Sequence, residues 1–170
     1  GEPTSHKQLD AFLALLKDTG IVVRLDTNGT NPQAIKDLIA RKLLDCIAMD
    51  IKSPLQKAKY ELVSGVPCNI EDIEKSIRII MESGIEYEFR TTVCPSQLDG
   101  DDIEEIARTI EGARRYILQG FRPNHCLDSK MLKIEPYPVE TLRGFASCAG
   151  KYVDYCCVRG EEGMVLQRNW

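Results

Sequence analysis

Ile21-Val22-Val23-Arg24-Leu25-Asp26-Thr27-Asn28-Gly29-Thr30-Asn31-Pro32 decides the fold. The β-branched, apolar run from Ile21 to Leu25 reads as a buried strand. A polar cluster follows at once, and Asn31-Pro32 then offers a helix N-cap with proline at the first helical position. The unit is therefore strand, polar turn, helix. Working outward, the same unit recurs in Met49-Asp50-Ile51-Lys52, in Phe89-Arg90-Thr91-Thr92-Val93-Cys94-Pro95 and in Leu118-Gln119-Gly120-Phe121-Arg122-Pro123, each at the end of a short apolar run. Gly1-Glu2-Pro3-Thr4 reads as a fifth cluster whose strand lies upstream.

Helical periodicity fills the gaps between strands. Ser5 with Gln8 resembles a capping box, and Leu9, Phe12, Leu13 and Leu16 recur at helical spacing up to Gly20, which predicts a helix over 5–19. Ile35, Leu38 and Ile39 mark a second helix. Ile73, Ile77, Ile80 and Met81 mark a third ending near Gly84, and Ile103, Ile106, Ala107 and Ile110 mark a fourth. Residues 138–149 give another, and Tyr152 to Val158 a last strand. The segment 53–68, with Pro54, Pro67 and Gly65, carries no clear period, and 121–137 is a long irregular connection of the kind that often serves function. Short strands alternating with helices of roughly 10–15 residues indicate an α/β fold of about five parallel strands, one domain over 1–170.

Bulk composition narrows the function classes. The chain has 170 residues, 43% hydrophobic and 28% charged, as an ordinary globular protein does. No uninterrupted apolar run approaches the ~20 residues of a membrane span. The net charge of −4 argues against a general nucleic-acid surface, with Arg114-Arg115 read as a solvated strand entrance. Seven cysteines at positions 46, 68, 94, 126, 148, 156 and 157 form no regular framework, which suits a reducing cytoplasm.

In a parallel α/β sheet or barrel the carboxyl ends of the strands open on one face, so the four clusters are expected to converge there. Asp26, Asp50, Lys52 and Arg90 together make a poor apolar pocket but a good cradle for a zwitterion that carries both amino and carboxylate groups. The plain alternative is that these charges only solvate strand ends.

At this point the residues carry a resemblance. Gly1-Glu2-Pro3-Thr4 is similar to the tail of the Gly-Gly-Glu-Pro motif of the radical S-adenosylmethionine (SAM) enzymes. Asp26-Thr27-Asn28-Gly29, Asp50-Ile51-Lys52 and Arg90 through Pro95 follow in the order and approximate spacing of their activating-enzyme branch. Within that branch the runs Leu25 to Gly29, Ala48 to Lys52, Phe89 to Val93 and Gln119 to Pro123 most resemble the anaerobic ribonucleoside-triphosphate reductase activating proteins. The resemblance implies a partial (β/α) barrel, a truncated TIM-like radical SAM barrel. It also implies a four-iron four-sulfur cluster that reductively cleaves SAM, and a radical that takes hydrogen from a glycine of a partner reductase, with a one-electron donor upstream. Carried over by position, Glu2 and Pro3 would offer acceptors to the methionine amino group. Asp26, Thr27, Asn28 and Asp50 would line the SAM site, with a monovalent cation at Asp26, Thr27 and Asp50. Lys52 and Arg90 would meet carboxylate or ribose, and Gln119 or Phe121 would flank the adenosine.

The chain departs from that family at the cluster. The family's CxxxCxxC triplet is absent, the cysteine spacings being 22, 26, 32, 22, 8 and 1 residues, so cluster ligands are expected upstream and the fragment alone is expected to be inactive. Cys46 and Cys94 read as small buried hydrophobes, and Cys156 and Cys157 point to opposite faces of a strand. His6 and His125 read as surface residues. Two other readings stay open: a radical SAM enzyme acting on a small molecule, such as a deazapurine-forming synthase, and a cluster-free binding or regulatory module. A missing first strand would leave an apolar sheet edge near Ile21 to Leu25, through which self-association is expected.

Overall fold

The computed structural model describes residues 1–125 and 129–159. Among the described residues five strands lie in one parallel sheet in chain order: β1 (Arg24–Thr27), β2 (Cys46–Asp50), β3 (Glu86–Val93), β4 (Tyr116–Gly120) and β5 (Cys156–Arg159). Helices separate them: α1 (Leu9–Asp18), α2 (Pro32–Ala40), α3 (Lys57–Ser64), α4 (Ile70–Glu82), α5 (Gly100–Thr109) and α6 (Val139–Ala149). The expected five-stranded α/β fold is thus present. Packing divides the chain into two compact units, Gly1–Phe89 and Arg90–Trp170.

In the first unit β1 and β2 pair in parallel with Arg24 opposite Cys46, Asp26 opposite Ala48 and Thr27 opposite Met49. Side chains alternate across a strand, so Leu25, Thr27, Ile47 and Met49 share one face and Arg24, Asp26, Cys46, Ala48 and Asp50 the other. The first face meets the helices: Ser76 of α4 donates its buried hydroxyl to the Gly29 carbonyl at 2.7 Å. Ile35, Ile73 and Ile80 of α2 and α4 are fully buried, each worth ~1.5–3 kcal/mol relative to exposure. Asn31 caps α2 as expected, its Oδ1 accepting Ala34 N–H with Pro32 in the first turn.

Three features of the first unit differ from the sequence expectation. The first strand begins at Arg24 rather than Ile21, because Asp45 captures the chain one residue earlier. Its carboxylate accepts Val23 N–H at 2.7 Å, and Val23 O accepts Asp45 N–H at 2.9 Å, leaving Ile21 and Val22 exposed. The first helix starts at Leu9 after Gln8, and Ser5 does not cap it; Pro3–Ser5 form a 3-10 turn in which Glu2 accepts from Thr4 N–H. The aperiodic stretch 53–68 contains α3, a short helix anchored by one buried residue, Tyr60.

In the second unit β4 and β5 pair in parallel, Tyr116 opposite Cys156 and Gln119 opposite Arg159. The last strand starts at Cys156, later than Tyr152, because Tyr152 O accepts Gly112 N–H and Asp154 N–H donates to Ala113 O, which binds those residues to the turn before β4. Asp99 and Asp102 form a reciprocal capping box on α5. The long connection 121–137 holds two 3-10 turns, Pro123–His125 and Met131–Lys133. Cys46 and Cys94 are buried, while Cys126 and the His125 side chain lie outside what the structure describes. No helix among the described residues is long and apolar enough to cross a membrane.

Candidate functional site

The polar face of the first unit gathers charge from three strands. Arg24 Nε donates to Asp26 Oδ1 at 2.7 Å, and Arg24 Nη2 donates to Glu88 Oε1 at 3.0 Å. Lys52 Nζ lies 3.0 Å from Asp50 Oδ2. Asp50 follows Ala48 by two residues on β2, and Ala48 stands opposite Asp26, so both aspartates occupy the same face. Asp26, Asp50 and Lys52 keep 52%, 30% and 36% of their side-chain surface, whereas Glu88 keeps 1%. Burial works against the Arg24 charge, but the hydrogen bond with Asp26 and the field of Glu88 overcome it and raise its pKa above the ordinary value. Arg24 and Lys52 thus stand among the carboxylates of Asp26, Asp50 and Glu88. The accessible carboxylates of Asp26 and Asp50 lie beside the accessible Lys52 ammonium, groups able to meet both an amine and a carboxylate.

The end of β1 is held from below. Glu2 Oε1 accepts from Thr4 N–H (3.1 Å), Thr4 Oγ1 (2.7 Å) and Thr27 Oγ1 (2.8 Å), and Glu2 Oε2 accepts Asn28 N–H at 2.7 Å. Thr27 therefore points away from Asp26, toward the Glu2 carboxylate. Asn28 is not part of the strand; its Oδ1 accepts from Thr30 N–H and Thr30 Oγ1, closing a turn in which Gly29 takes φ +76°. The backbone carbonyls of Glu2 and Pro3 accept Ser5 and His6 N–H, and each oxygen has a second lone pair for another donor. The structure thus brings Glu2, Pro3, Thr27 and Asn28 together at one place and sets Asp26, Asp50 and Lys52 on the opposite face of the same strands.

In the second unit Arg90 is 8% exposed on β3. The Tyr116 hydroxyl donates to Thr91 Oγ1 at 2.9 Å, which puts Tyr116 and Thr91 on one face. Alternation then puts Arg90 and Gln119 on the other, and Phe121 is buried one residue past β4. Among the described residues no group of three His, Cys, Asp or Glu side chains could hold a metal ion. Cys156 and Cys157 face opposite sides, and burial pushes the Cys156 thiol up to about 12, far from thiolate. The described residues therefore do not fit an iron–sulfur cluster.

Arg24 and Glu88 escape a reading confined to strand ends. A signal did exist: both are charged residues inside apolar strands, each two positions before a candidate, Asp26 and Arg90.

No protein-family model matches the chain. A Methanocaldococcus jannaschii protein named a glycyl-radical enzyme activating enzyme is 36% identical over 170 residues, covering 96% of this chain and 69% of that protein. The chain belongs to the glycyl-radical enzyme activating enzymes. A second activating enzyme of that name from the same organism is 31% identical over 112 residues, 64% of this chain and 42% of the relative. Among solved structures, a domain of pyruvate-formate lyase-activating enzyme from Bacteroides vulgatus superposes with a TM-score of 0.73 at 19% identity, over 94% of this chain and 95% of that one. TYW1 with a lysine-pyruvate adduct bound superposes at 0.71 and 15% identity, over 95% of this chain and 51% of that one. These two likenesses show the fold. In this activating enzyme the polar face around Asp26 and Asp50 lies opposite the helix-covered face.

Proposed function

We propose that this chain is the SAM-holding part of an activating enzyme that installs a glycyl radical on an anaerobic ribonucleotide reductase. The observation that carries it is the placing of the partly accessible Asp26, Asp50 and Lys52 on one face of β1 and β2 in a chain of this family. Asp50 and Asp26 would take the ligand's amine and ribose hydroxyls, and Lys52 its carboxylate. Arg90, Gln119 and Phe121 are proposed for the carboxylate or ribose and the adenine, and the backbone acceptors of Glu2 and Pro3 for the amine. A monovalent cation, if held, would take side-chain oxygens from Asp26 and Asp50 and the main-chain oxygen of Thr27, whose hydroxyl is engaged by Glu2. Asn28 would shape the turn beneath them. SAM would supply the 5′-deoxyadenosyl group, and the four-iron four-sulfur cluster implied by the family has no ligand set among the described residues.

The partner is proposed to be the reductase that carries the glycine, served by a one-electron donor, in the cytoplasm. The choice of a ribonucleotide reductase rests on the motif runs at residues 25–29, 48–52, 89–93 and 119–123. Self-association through β1, the first strand of the sheet order, is part of the same proposal, and light scattering at high concentration tests it. For the activity, the natural-length protein is incubated anaerobically with SAM, a one-electron reductant and the reductase of the same genome. A glycyl doublet in the reductase's electron paramagnetic resonance spectrum supports the reading. SAM cleavage with the radical on another glycyl enzyme or on a metabolite overturns the choice of substrate.

A further inference from the structure

We propose that Arg24 is a positioning residue of the ligand face, acting through Asp26: its guanidinium crosses β2 to Glu88 and so fixes the direction in which the Asp26 carboxylate is presented. This rests on the SAM reading above.

The geometry is specific. Arg24 stands on β1, Glu88 on β3, and β2 lies between them. Adjacent strands are ~4.8 Å apart, so the reach from β1 to β3 is about 10 Å and has to pass over whatever β2 presents on that face. It presents Cys46, directly opposite Arg24, and Ala48, opposite Asp26. Both are small and buried, and the Cys46 thiol lies within the field of Arg24. The long arginine stem therefore has a low path across the strand. At its end two different nitrogens are used, Nε for Asp26 and Nη2 for Glu88.

That division matters. A planar guanidinium joined to a buried carboxylate on β3 cannot rotate freely, so its Nε–H keeps a fixed direction, and Asp26 Oδ1 at 2.7 Å is aligned by it. Asp26 is half-exposed and short, and one of its oxygens is thereby committed to Arg24 while the carboxylate plane is set for a ligand donor. Glu88, 1% exposed, is the anchor rather than a ligand contact. A lysine at position 24 has one nitrogen on a flexible stem and cannot serve two carboxylates on separate strands with the same geometry.

The test is equilibrium binding of SAM to the natural-length protein under anaerobic conditions, by calorimetry, for wild type, Arg24→Gln, Arg24→Lys, Asp26→Asn and the double variant R24Q/D26N, with circular dichroism on each. Arg24→Gln is expected to weaken binding about tenfold, the scale of one charge-assisted hydrogen bond. Arg24→Lys, which keeps the charge and most of the stem, is expected to weaken it as well but by less, and serves if the glutamine variant does not fold. Because Arg24 acts through Asp26, the double variant should bind no worse than Asp26→Asn alone, a coupling that a merely structural role would not produce. Unchanged affinity in both Arg24 variants, or strictly additive losses in the double variant, overturns the inference while leaving the SAM reading standing. Failure of the wild type to bind SAM overturns both, and is told apart because no variant is then needed to see it.

Discussion

The Tyr60 hydroxyl oxygen accepts the backbone N–H of Lys52 at 3.3 Å, so a helix residue ties down the chain just where Lys52 leaves β2. Tyr60 is 2% exposed, and burial raises its pKa, so it remains a neutral phenol at any physiological pH. Tyr60→Phe keeps the ring and deletes the hydroxyl that accepts the Lys52 N–H. The expected cost is about 1 kcal/mol of unfolding free energy, with weaker SAM binding because Lys52 loses a fixed point, measured by urea unfolding and calorimetry. Unaltered stability and affinity would show that the contact does not constrain the loop.

Glu2 makes a second fixed point, on the other side of β1. One carboxylate serves Thr4, Thr27 and Asn28, and glutamine in its place would present an amide N–H to one of these donors. Glu2→Gln is therefore expected to destabilise the chain by about 1–3 kcal/mol, read as a shift of the urea midpoint without a change in slope. A shift of a few tenths would mean that water replaces the lost acceptor without penalty.

The turn after β1 depends on its glycine for two separate reasons. Gly29 has φ +76°, and a Cβ there would run into the side chain of fully buried Met49. Gly29→Ala is expected to cost about 1–3 kcal/mol through backbone strain alone. Met49→Ala makes room but carries its own cavity cost, so the comparison is made within that background, where Gly29→Ala should still destabilise because the positive φ remains. Gly29→Ala without cost in the Met49→Ala background would show that the clash, not the backbone, was the cause.

These sites bear on what a sequence can disclose. The strand and helix order was legible because Ile73, Ile77 and Ile80 or Ile103, Ile106 and Ile110 repeat at helical spacing and each is buried as that spacing demands. The candidate aspartates were legible because polar residues after an apolar run stand out. The start of β1 was not, since Ile21-Val22 has the composition of a strand and only Asp45, more than twenty residues on, takes the Val23 amide out of the ladder's reach. Tyr60 was hidden for a related reason: α3 has a single buried anchor, so it has no periodicity to read. Arg24 and Glu88 were missed because their partnership runs across an intervening strand, a distance of 64 residues that no local pattern encodes.

Asp45 gives the stability of this end of the sheet a pH dependence of known sign. Both its oxygens lie 2.7 Å from Lys17 Nζ, and Oδ2 also accepts Val23 N–H. The Lys17 hydrogen bond foremost, and then the Val23 amide, hold its pKa below the ordinary 3.8 against a smaller opposing effect of burial. The folded chain thus binds fewer protons at Asp45 than the unfolded chain, so the contribution is complete above pH 3.8 and fades as pH falls through the lowered value. The pair is partly exposed, and its ionic part is worth roughly 0.2–1 kcal/mol. Asp45→Asn should therefore be less stable than wild type at neutral pH, and the gap should narrow as the pH is taken below about 4, in urea titrations run at each pH. A gap that widens in acid would mean that Asp45 is worth more protonated than charged, and would reverse its assigned role in setting where β1 begins.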